Sequence, residues 1–264
     1  AAITELGEMQ DIVLGLDAEF VLTTSHGELV PADRYLPASG PVGYDAAIVE
    51  RQLIRALGEL RPAPSHEPRR LFANLRRAMR LAAKHIDPAL EWRAGGSPIT
   101  GISLGFHLHF SGLPFTYEFV RTLDNYVALP LSLLEDPRSL ARRHTFGWLG
   151  NARAKDHGGF EYRTPASILI SPVITRGVLT LAKLIAVHYR QLQSRPLDNP
   201  AMQRAYYAGE KPSLIHFLAR WKQDIMRLAT LPNDREDLTS FLTLLESGTV
   251  WDESADIRRA WGVE

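Results

Sequence analysis

The sequence predicts an α+β fold in which strands occupy the first part of the chain and helices the last third. Residues 12–170 contain short β-branched and aromatic runs interrupted by charged residues, as in strands that bury one face. From residue 171 onward the apolar residues recur at helical spacing. We therefore expect a single domain over residues 1–264, with a sheet-rich core at 12–170 and a helical part at 171–264.

The composition excludes several classes of protein. The 264 residues are 45% hydrophobic and 23% charged, as in soluble globular domains, and the formal net charge is +0, so neither nucleic acid nor an anionic membrane is indicated as partner. The absence of cysteine excludes disulfides and thiolate chemistry. No apolar run approaches the ~20 residues of a membrane helix, and the first ten residues carry acidic charge, so we expect a cytoplasmic protein without a signal peptide.

The elements follow from the period of the apolar residues. Strands are expected at residues 12–24, 59–64, 90–93, 101–112 and 158–165. Helices are expected at 45–57, 68–86, 116–134, 173–193, 199–208, 212–230 and 234–246. Pro130 lies inside the apolar stripe of the 116–134 helix and should kink or split it.

Two histidines in the 101–112 strand are predicted to share one face. Leu104, Phe106, Leu108 and Phe110 alternate with Gly105, His107 and His109, so the imidazoles point away from the apolar side. Imidazole titrates near neutrality and is a common metal ligand. The pair is consistent with a metal or phosphate site, or with two hydrogen-bonded strand histidines.

The same i, i+2 arrangement of polar residues recurs in three other strands. The pairs are Asp17 with Glu19, Glu59 with Arg61, and Glu161 with Arg163. If the four strands are adjacent, the polar faces merge, and four carboxylates brought together repel one another unless a cation lies among them. The pattern therefore predicts a site for divalent metal, although rim positions and a surface Glu59–Arg61 ion pair remain alternatives.

A basic segment precedes the Glu161 strand. Residues 138–157 contain glycines and the cations Arg138, Arg142, Arg143, His144, Arg153, Lys155 and His157. Such a segment could hold a triphosphate, and it is our candidate lid over the site. The alternative is a generic surface loop.

Two further sequence patterns of enzyme sites match only in part, because the structural context or the additional ligand that each site requires is not expected here. Gly101-Ile-Ser-Leu-Gly105 matches the serine hydrolase elbow, but more strand rather than a helix is expected after Ser103. An oxygenase site with two histidines and one carboxylate would need a glutamate soon after His109, and Glu118 comes too late. Walker A, dinucleotide-binding and HExxH motifs are absent.

Taken together, the polar pairs resemble those of the carboxylate-amine ligases, or amidoligases, of the glutamine synthetase and glutamate-cysteine ligase superfamily, and of the phage-type COOH-NH2 ligases in particular. The matching segments, which occur in family order, are Gly15-Leu-Asp-Ala-Glu-Phe20, Val42-Gly-Tyr-Asp45, Glu59-Leu-Arg-Pro62, Gly105-Phe-His-Leu-His-Phe110, Leu123-Asp124 and Gly159-Phe-Glu-Tyr-Arg-Thr-Pro165. The sequence departs from the family pattern at Ala18, where Pro is usual, and at Phe106, where Gly is usual. Phe106 could narrow the substrate pocket or alter only packing.

The resemblance implies a glutamine-synthetase-like funnel of antiparallel strands packed with helices, which binds ATP and two or three Mg²⁺ ions. By motif position the metal ligands would be Asp17, Glu19, Glu59, His107 and Glu161. Arg163 would contact the transferred phosphate, with Arg61 and Arg153 as further catalytic candidates. Arg153, His109 and Lys155 would join Arg163 in binding the nucleotide.

The implied reaction forms an amide bond through an acyl phosphate, from a small-molecule or peptide carboxylate and an amine. A modified nucleoside is among the substrate classes left open, and homo-oligomers are known in this superfamily. Two alternatives from other classes are a catalytically silent protein on the same fold and a metal-dependent hydrolase or oxygenase that uses His107 and His109. The clustered acids argue against the first, because a decayed site would lose such costly groups.

Overall fold

The structure, a computed structural model, describes residues 11–49, 51–156 and 158–263. The expected lead-in at residues 1–10, Glu50 of the expected 45–57 helix, and His157 of the basic segment lie outside the described residues. Within the described part, strands end at Tyr162 and the chain is helical from Pro172 to Trp261. One cluster of buried apolar residues extends from Ile12 to Val263 and so joins the sheet to the C-terminal helices.

The strands of the described part form one antiparallel sheet, as expected. They are β1 Val13–Thr23, β2 Leu29–Val30, β3 Val42–Val49, β4 Gln52–Leu60, β5 Glu91–Arg93, β6 Phe106–Ser111, β7 Ala152–Ala154 and β8 Phe160–Tyr162. The order along the sheet is β3-β4-β1-β6-β8-β7, and β2 and β5 both pair with the end of β1. The expected strand at 101–112 is thus shorter, because residues 101–105 form the loop that leads into β6.

The apolar side of β1 is tightly packed against its neighbours. Phe20 stacks on Trp92 with ring centroids 4.7 Å apart. A Cβ atom at position 58 would lie 2.4 Å from the Phe20 ring, so only glycine fits opposite this phenylalanine. Ala18 pairs with Phe106 across β1 and β6, and both side chains are fully buried. Phe106 therefore belongs to the packed core between these two strands.

The expectation of a helix at residues 45–57 is wrong, because this segment is the β3–β4 hairpin. Ala47 pairs with Ile54 and Val49 with Gln52, after a register shift between Asp45 and Ala47. Arg51 has a φ of 66°, the left-handed conformation that glycine or asparagine usually supplies in tight hairpins. The sequence therefore lacks the usual turn signal. Pairing of β4 with both β1 and β3 stabilises the strand despite apolar spacing that also suits a helix.

The other expected helices are present, with small differences at their ends, and two short helices, Leu140–Arg143 and Ile257–Trp261, were not expected. They are α1 Pro68–Ala83, α2 Tyr117–Leu123, α3 Leu129–Leu134, α4 Leu140–Arg143, α5 Pro172–His188, α6 Pro200–Ala208, α7 Lys211–Leu214, α8 Leu218–Leu228, α9 Pro232–Ser247 and α10 Ile257–Trp261. The expected 212–230 helix is divided into α7 and α8 by a tight turn at Ile215–Phe217. None of the helices in the described ranges is long and apolar enough to span a membrane.

The expected 116–134 helix is interrupted, as Pro130 predicted, but the interruption precedes the proline. Asp124–Ala128 form a π-helical turn between α2 and α3. Proline has no N–H, so the carbonyl of Tyr126 four residues earlier loses its helical donor. Trp221 of α8 donates its indole N–H to this carbonyl at 3.1 Å. The kinked helix is thereby attached to the C-terminal helices.

Candidate active site

The four predicted polar pairs lie on four adjacent strands, as expected. Glu19 of β1 is opposite Glu59 of β4, and Asp17 of β1 is opposite His107 of β6. His109 of β6 is in turn opposite Glu161 of β8. Since alternate side chains of a strand point to the same face, the pairs converge on one side of the sheet.

One group of potential metal ligands consists of Asp17, His109 and Glu161. Their ligand atoms all lie within 4.8 Å of one another. His109 Nε2 is 3.0 Å from Asp17 Oδ2 and 3.5 Å from Glu161 Oε2. The Glu161 carboxylate is completely buried. This group brings together three residues that the sequence assigned to metal or nucleotide binding.

A second group consists of Glu19, Asp45 and Glu59, whose ligand atoms also lie within 4.8 Å of one another. Gly105 donates its backbone N–H to Glu19 Oε2 at 2.6 Å and so fixes this carboxylate. Sequence reasoning did not include Asp45 in this group because it placed the residue in a helix. The alternation of Val42 and Tyr44 with Gly43 and Asp45 was the available signal, since it is a strand pattern.

His107 occupies a different position from His109. Its Nε2 atom lies 3.9 Å from Glu19 Oε1, beside the second group. Burial, with the nearby cations Arg163 and Arg142, lowers the pKa of His107 to about 3, so the ring is neutral at physiological pH. A neutral imidazole keeps a lone pair for a metal, and the assignment of His107 as a ligand stays a prediction.

The predicted phosphate-binding cations surround Glu161. Arg153 Nε is 2.5 Å from Glu161 Oε1, and Lys155 Nζ is 2.7 Å from Oε2. Arg163 Nε lies 3.3 Å from Oε1. The other predicted arginine, Arg61, forms an ion pair with Glu59 at the opposite end of the site. The site therefore carries cations at both ends and acids between them.

The first group keeps its carboxylates ionised. Burial acts to raise the pKa of Asp17, but contact with the His109 ring and nearby positive charges outweigh it and hold the pKa below its usual value. For Glu161 burial is likewise outweighed, chiefly by the hydrogen bond from Lys155, and its pKa is also lowered.

In the second group the pKa values of two carboxylates are raised instead of lowered. Burial raises the pKa of Glu19 to about 7. Burial also raises the pKa of Glu59 to about 7, and the carboxylate of Asp17 contributes in the same direction. Acids that are buried together with few cations favour the protonated form unless a metal ion compensates their charge.

Several buried polar atoms of the site have no hydrogen-bond partner. In the described part of the chain, five of the eight such side-chain atoms belong to Arg61, His109, Arg142, Glu161 and Arg163. His109 Nε2 is close to Asp17, but the geometry does not make a hydrogen bond. Unpaired buried donors and acceptors are costly, so their concentration here indicates a site built for an external ligand. The carboxylate oxygens of the two groups suit Mg²⁺.

A cavity of about 310 Å³ opens beside the second group. Its walls include Glu19, His107 and Arg163, the apolar side chain of Leu57, and Arg142. Arg142 is buried, and its guanidinium donates to the carbonyls of Thr164 and Arg163. Sequence reasoning missed this role because Arg142 lies in the basic run.

The basic segment is therefore not a uniform phosphate-binding loop. Arg143 is buried as well, where it pairs with Glu135 and donates to the carbonyl of Tyr206. Arg138 pairs with Asp136 and Asp252 outside the site. Only Arg153 and Lys155 among the cations of this segment contact the predicted metal ligands in the described part.

Solved structures with similar folds are ligases. A bifunctional glutathione synthetase from Pasteurella multocida superimposes with a TM-score of 0.58 at 14% identity, over 100% of this chain and 53% of that protein. A glutamate–cysteine ligase from Francisella tularensis, solved with AMP, gives 0.59 at 9% identity over 96% of this chain and 84% of that one. The ligase PafA, solved with the ubiquitin-like protein Pup, gives 0.55 at 12% identity over 91% and 65%. The chain spans about half the length of the glutathione synthetase.

Sequence comparison identifies the family. No curated protein matches the chain at a significant level. The family model described as phage phiEco32-like COOH.NH2 ligase-type 2 matches residues 14–263. This range includes every residue of both acid groups and all the surrounding cations. The predicted family and fold class are thus confirmed, and the chain belongs to the phage phiEco32-like COOH-NH2 ligase family.

Proposed function

We propose that this protein is an ATP- and Mg²⁺-dependent ligase that joins a carboxylate to an amine through an acyl phosphate. The observation that carries this proposal is the placement of two acid groups and their flanking cations on one face of the sheet. Transfer of a phosphoryl group requires both kinds of group, because the triphosphate must be neutralised and its oxygens aligned. The fold shared with ligases supports the same reaction class.

The acids are suited to hold two or three Mg²⁺ ions. Asp17, His109 and Glu161 would hold one ion, and Glu19, Asp45 and Glu59 another. Glu161 Oε1 and His109 Nε2 lie in ion-pair contacts but make no hydrogen bond with the described residues, which supports this assignment. Bound Mg²⁺ would neutralise phosphate charge and orient the reacting oxygens.

The cations of β7 and β8 would act on the phosphates. Arg163 offers a planar fork of donors to the transferred phosphoryl group, with an Nε that has no hydrogen-bond partner in the described structure. Arg153 and Lys155 would contact the remaining phosphates. In the first step the substrate carboxylate oxygen attacks the γ-phosphorus and ADP leaves. In the second, the amine attacks the acyl carbon, loses its proton, and phosphate leaves with the C–O bond electrons.

The cavity beside Glu19 would receive the carboxylate substrate. The guanidinium groups of Arg142 and Arg163 provide positive charge, while Leu53 and Phe146 provide apolar walls. A volume of about 310 Å³ suits a small acid or the end of a peptide. Arg142 would also position Arg163, because it holds the carbonyl of that residue.

The proposal is tested by measuring ATP binding and phosphate release with and without Mg²⁺, in the presence of pooled carboxylates and amines. Release that requires Mg²⁺ and both pools supports the ligase and begins to identify its substrates. Failure to bind nucleotide at any Mg²⁺ concentration would refute it. Binding that is never followed by release with any pool would instead favour the catalytically silent alternative.

A further inference from the structure

A second, larger cavity lies away from the acid groups, between the start of α2 and the residues before β7. Its volume is about 690 Å³. Phe115 and Tyr117 form one wall and Tyr207 of α6 another, and Asp124 lies in the lining. None of the predicted metal or phosphate ligands borders this cavity. Its lining also shares no residue with that of the cavity of about 310 Å³.

The side chain of Asp124 is more than nine-tenths buried, with 7% of its surface exposed. Its Oδ1 atom accepts hydrogen bonds from the N–H of Gly150 at 3.0 Å and from the hydroxyl of Tyr162 at 2.8 Å. Its other oxygen, Oδ2, accepts no hydrogen bond from the described residues. A fixed carboxylate with one unused oxygen thus lies at the wall of a cavity.

The local backbone conformation fixes the position of the Asp124 carboxylate. Asp124 begins the π-helical turn, and such turns insert one residue into a helix and are frequent at functional sites. Gly150 has a φ of 78° and no side chain, and a Cβ atom there would lie 4.0 Å from Asp124 Oδ2. The positive φ therefore explains the glycine, and its N–H is directed at the other oxygen of the carboxylate, Oδ1.

The lining indicates the charge of a ligand. It contains one arginine, Arg121, and two aspartates, Asp124 and Asp198. Arg121 is paired with Asp198, so no described cation compensates Asp124.

Tyr117 and Phe115 are exposed aromatic rings, with 78% and 46% of their surfaces accessible. One face of Tyr117 lies under Arg121 and one face of Phe115 stacks on Phe160, so the opposite faces are the ones available to a ligand. A carboxylate and aromatic faces are the two groups that bind a cationic amine.

We propose that this cavity binds a small molecule that bears a primary ammonium group on an apolar or aromatic body. The ammonium donates to Asp124 Oδ2, and the body packs on Tyr117 and Phe115. Tyr162, whose hydroxyl donates to Asp124, lies between Glu161 and Arg163 in the chain. The binding step does not depend on the proposed ligase activity.

Calorimetric titration with phenethylamine and its neutral analogue 2-phenylethanol tests this proposal. The wild-type protein should bind the amine at least about tenfold more tightly than the alcohol, as expected for one charged hydrogen bond. Asp124→Asn keeps the acceptor for Gly150 and Tyr162 and should abolish the preference. Glu118→Gln, an exposed acid on the same helix outside the cavity lining, should leave it unchanged.

Tyr117→Ala removes an exposed ring and provides a test that does not alter the buried carboxylate. It should weaken amine binding roughly two- to tenfold, the effect of one aromatic contact with the body of the ligand. Equal affinities for the amine and the alcohol, or no amine binding up to its solubility limit, would overturn the proposal. Amine binding that is lost in Glu19→Gln and retained in Asp124→Asn would place the ligand in the active site and would also overturn it.

Discussion

The two faces of the central sheet differ in how completely their polar groups are paired. Among the helices that cover one face, Tyr126 donates to Asp224 at 2.8 Å and its carbonyl accepts from Trp221. In the described structure Trp92 Nε1 is the unpaired buried atom on this side. On the other face, buried atoms of His109, Glu161 and Arg163 have no hydrogen-bond partner in the described structure. The face packed against the helices, called here the covered face, therefore stabilises the fold. The face that carries the two acid groups, called here the open face, keeps buried polar atoms without hydrogen-bond partners.

This difference indicates which changes should affect stability and which should affect activity. Unpaired and like-charged groups lower the stability of a folded protein, and they persist where a ligand completes them. Substitutions on the open face should therefore reduce function with little loss of stability. Substitutions on the covered face should do the reverse.

Glu19→Gln should have the largest effect on activity. We expect ATP turnover to fall at least about 100-fold, because even residues behind a metal ligand contribute 10–100-fold. The midpoint of thermal unfolding should be unchanged or higher, because a neutral amide replaces a buried carboxylate and can still accept from Gly105. Exposed Glu28→Gln is the matched control. Normal turnover in Glu19→Gln would remove this residue from the metal site.

Arg163→Lys should reduce ATP turnover by about 100-fold. A lysine keeps the charge but cannot reproduce the planar fork of donors, and loss of one transition-state donor costs roughly 10²–10³-fold. Steady-state phosphate release measures the effect, with exposed Arg227→Lys as control. A rate equal to that of the wild type would assign Arg163 a structural role.

Asp45→Asn should raise the Mg²⁺ concentration needed for half-maximal ATP turnover by roughly 10–100-fold. The reason is its place with Glu19 and Glu59 in the second acid group. Asp33→Asn, an exposed aspartate outside both groups, should leave the Mg²⁺ dependence unchanged. If Asp45→Asn leaves the Mg²⁺ dependence of ATP turnover unaltered, Asp45 is not a ligand, and only Glu19 and Glu59 remain in the second group.

Trp221→Phe tests the covered face and should have the smallest effect on turnover. The carbonyl of Tyr126 would lose its donor inside the core, which lowers the free energy of unfolding by about 1–3 kcal/mol. Urea unfolding measures this loss, and ATP turnover at saturating substrates should stay at the wild-type value. Loss of turnover with unchanged stability would contradict the separation of the two faces.

The sequence predicts those residues of the open face that a pattern within a single strand identifies. The i, i+2 pairs Asp17/Glu19 and Glu161/Arg163 mark one side of a strand without knowledge of its neighbours. The register that places Glu19 opposite Glu59 then brings the pairs together. The shared face of each pair could be predicted because it depends only on the alternation of side chains along a strand.

The missed features depend on contacts between distant segments. Asp45 was assigned to a helix because the apolar residues of 45–57 recur at helical spacing. The hairpin turn went unrecognised because Arg51, and not glycine or asparagine, has the positive φ there. Arg142 lies in a basic run, which predicts a side chain exposed to solvent. It is nevertheless buried, and its guanidinium donates to carbonyls 21 and 22 residues away in the chain. No local pattern distinguishes such an arginine from its exposed neighbours.

The π-helical turn at Asp124–Ala128 has a consequence for comparing this chain with its relatives. Deleting one residue of the turn would leave a regular helix but rotate everything after it by about 100°, since each residue of an α-helix advances by that angle. Asp124 and Tyr126 could then not both keep their partners. A relative with a one-residue gap at this point should therefore lack the second cavity, so the length of this helix in an alignment marks which members of the family share it.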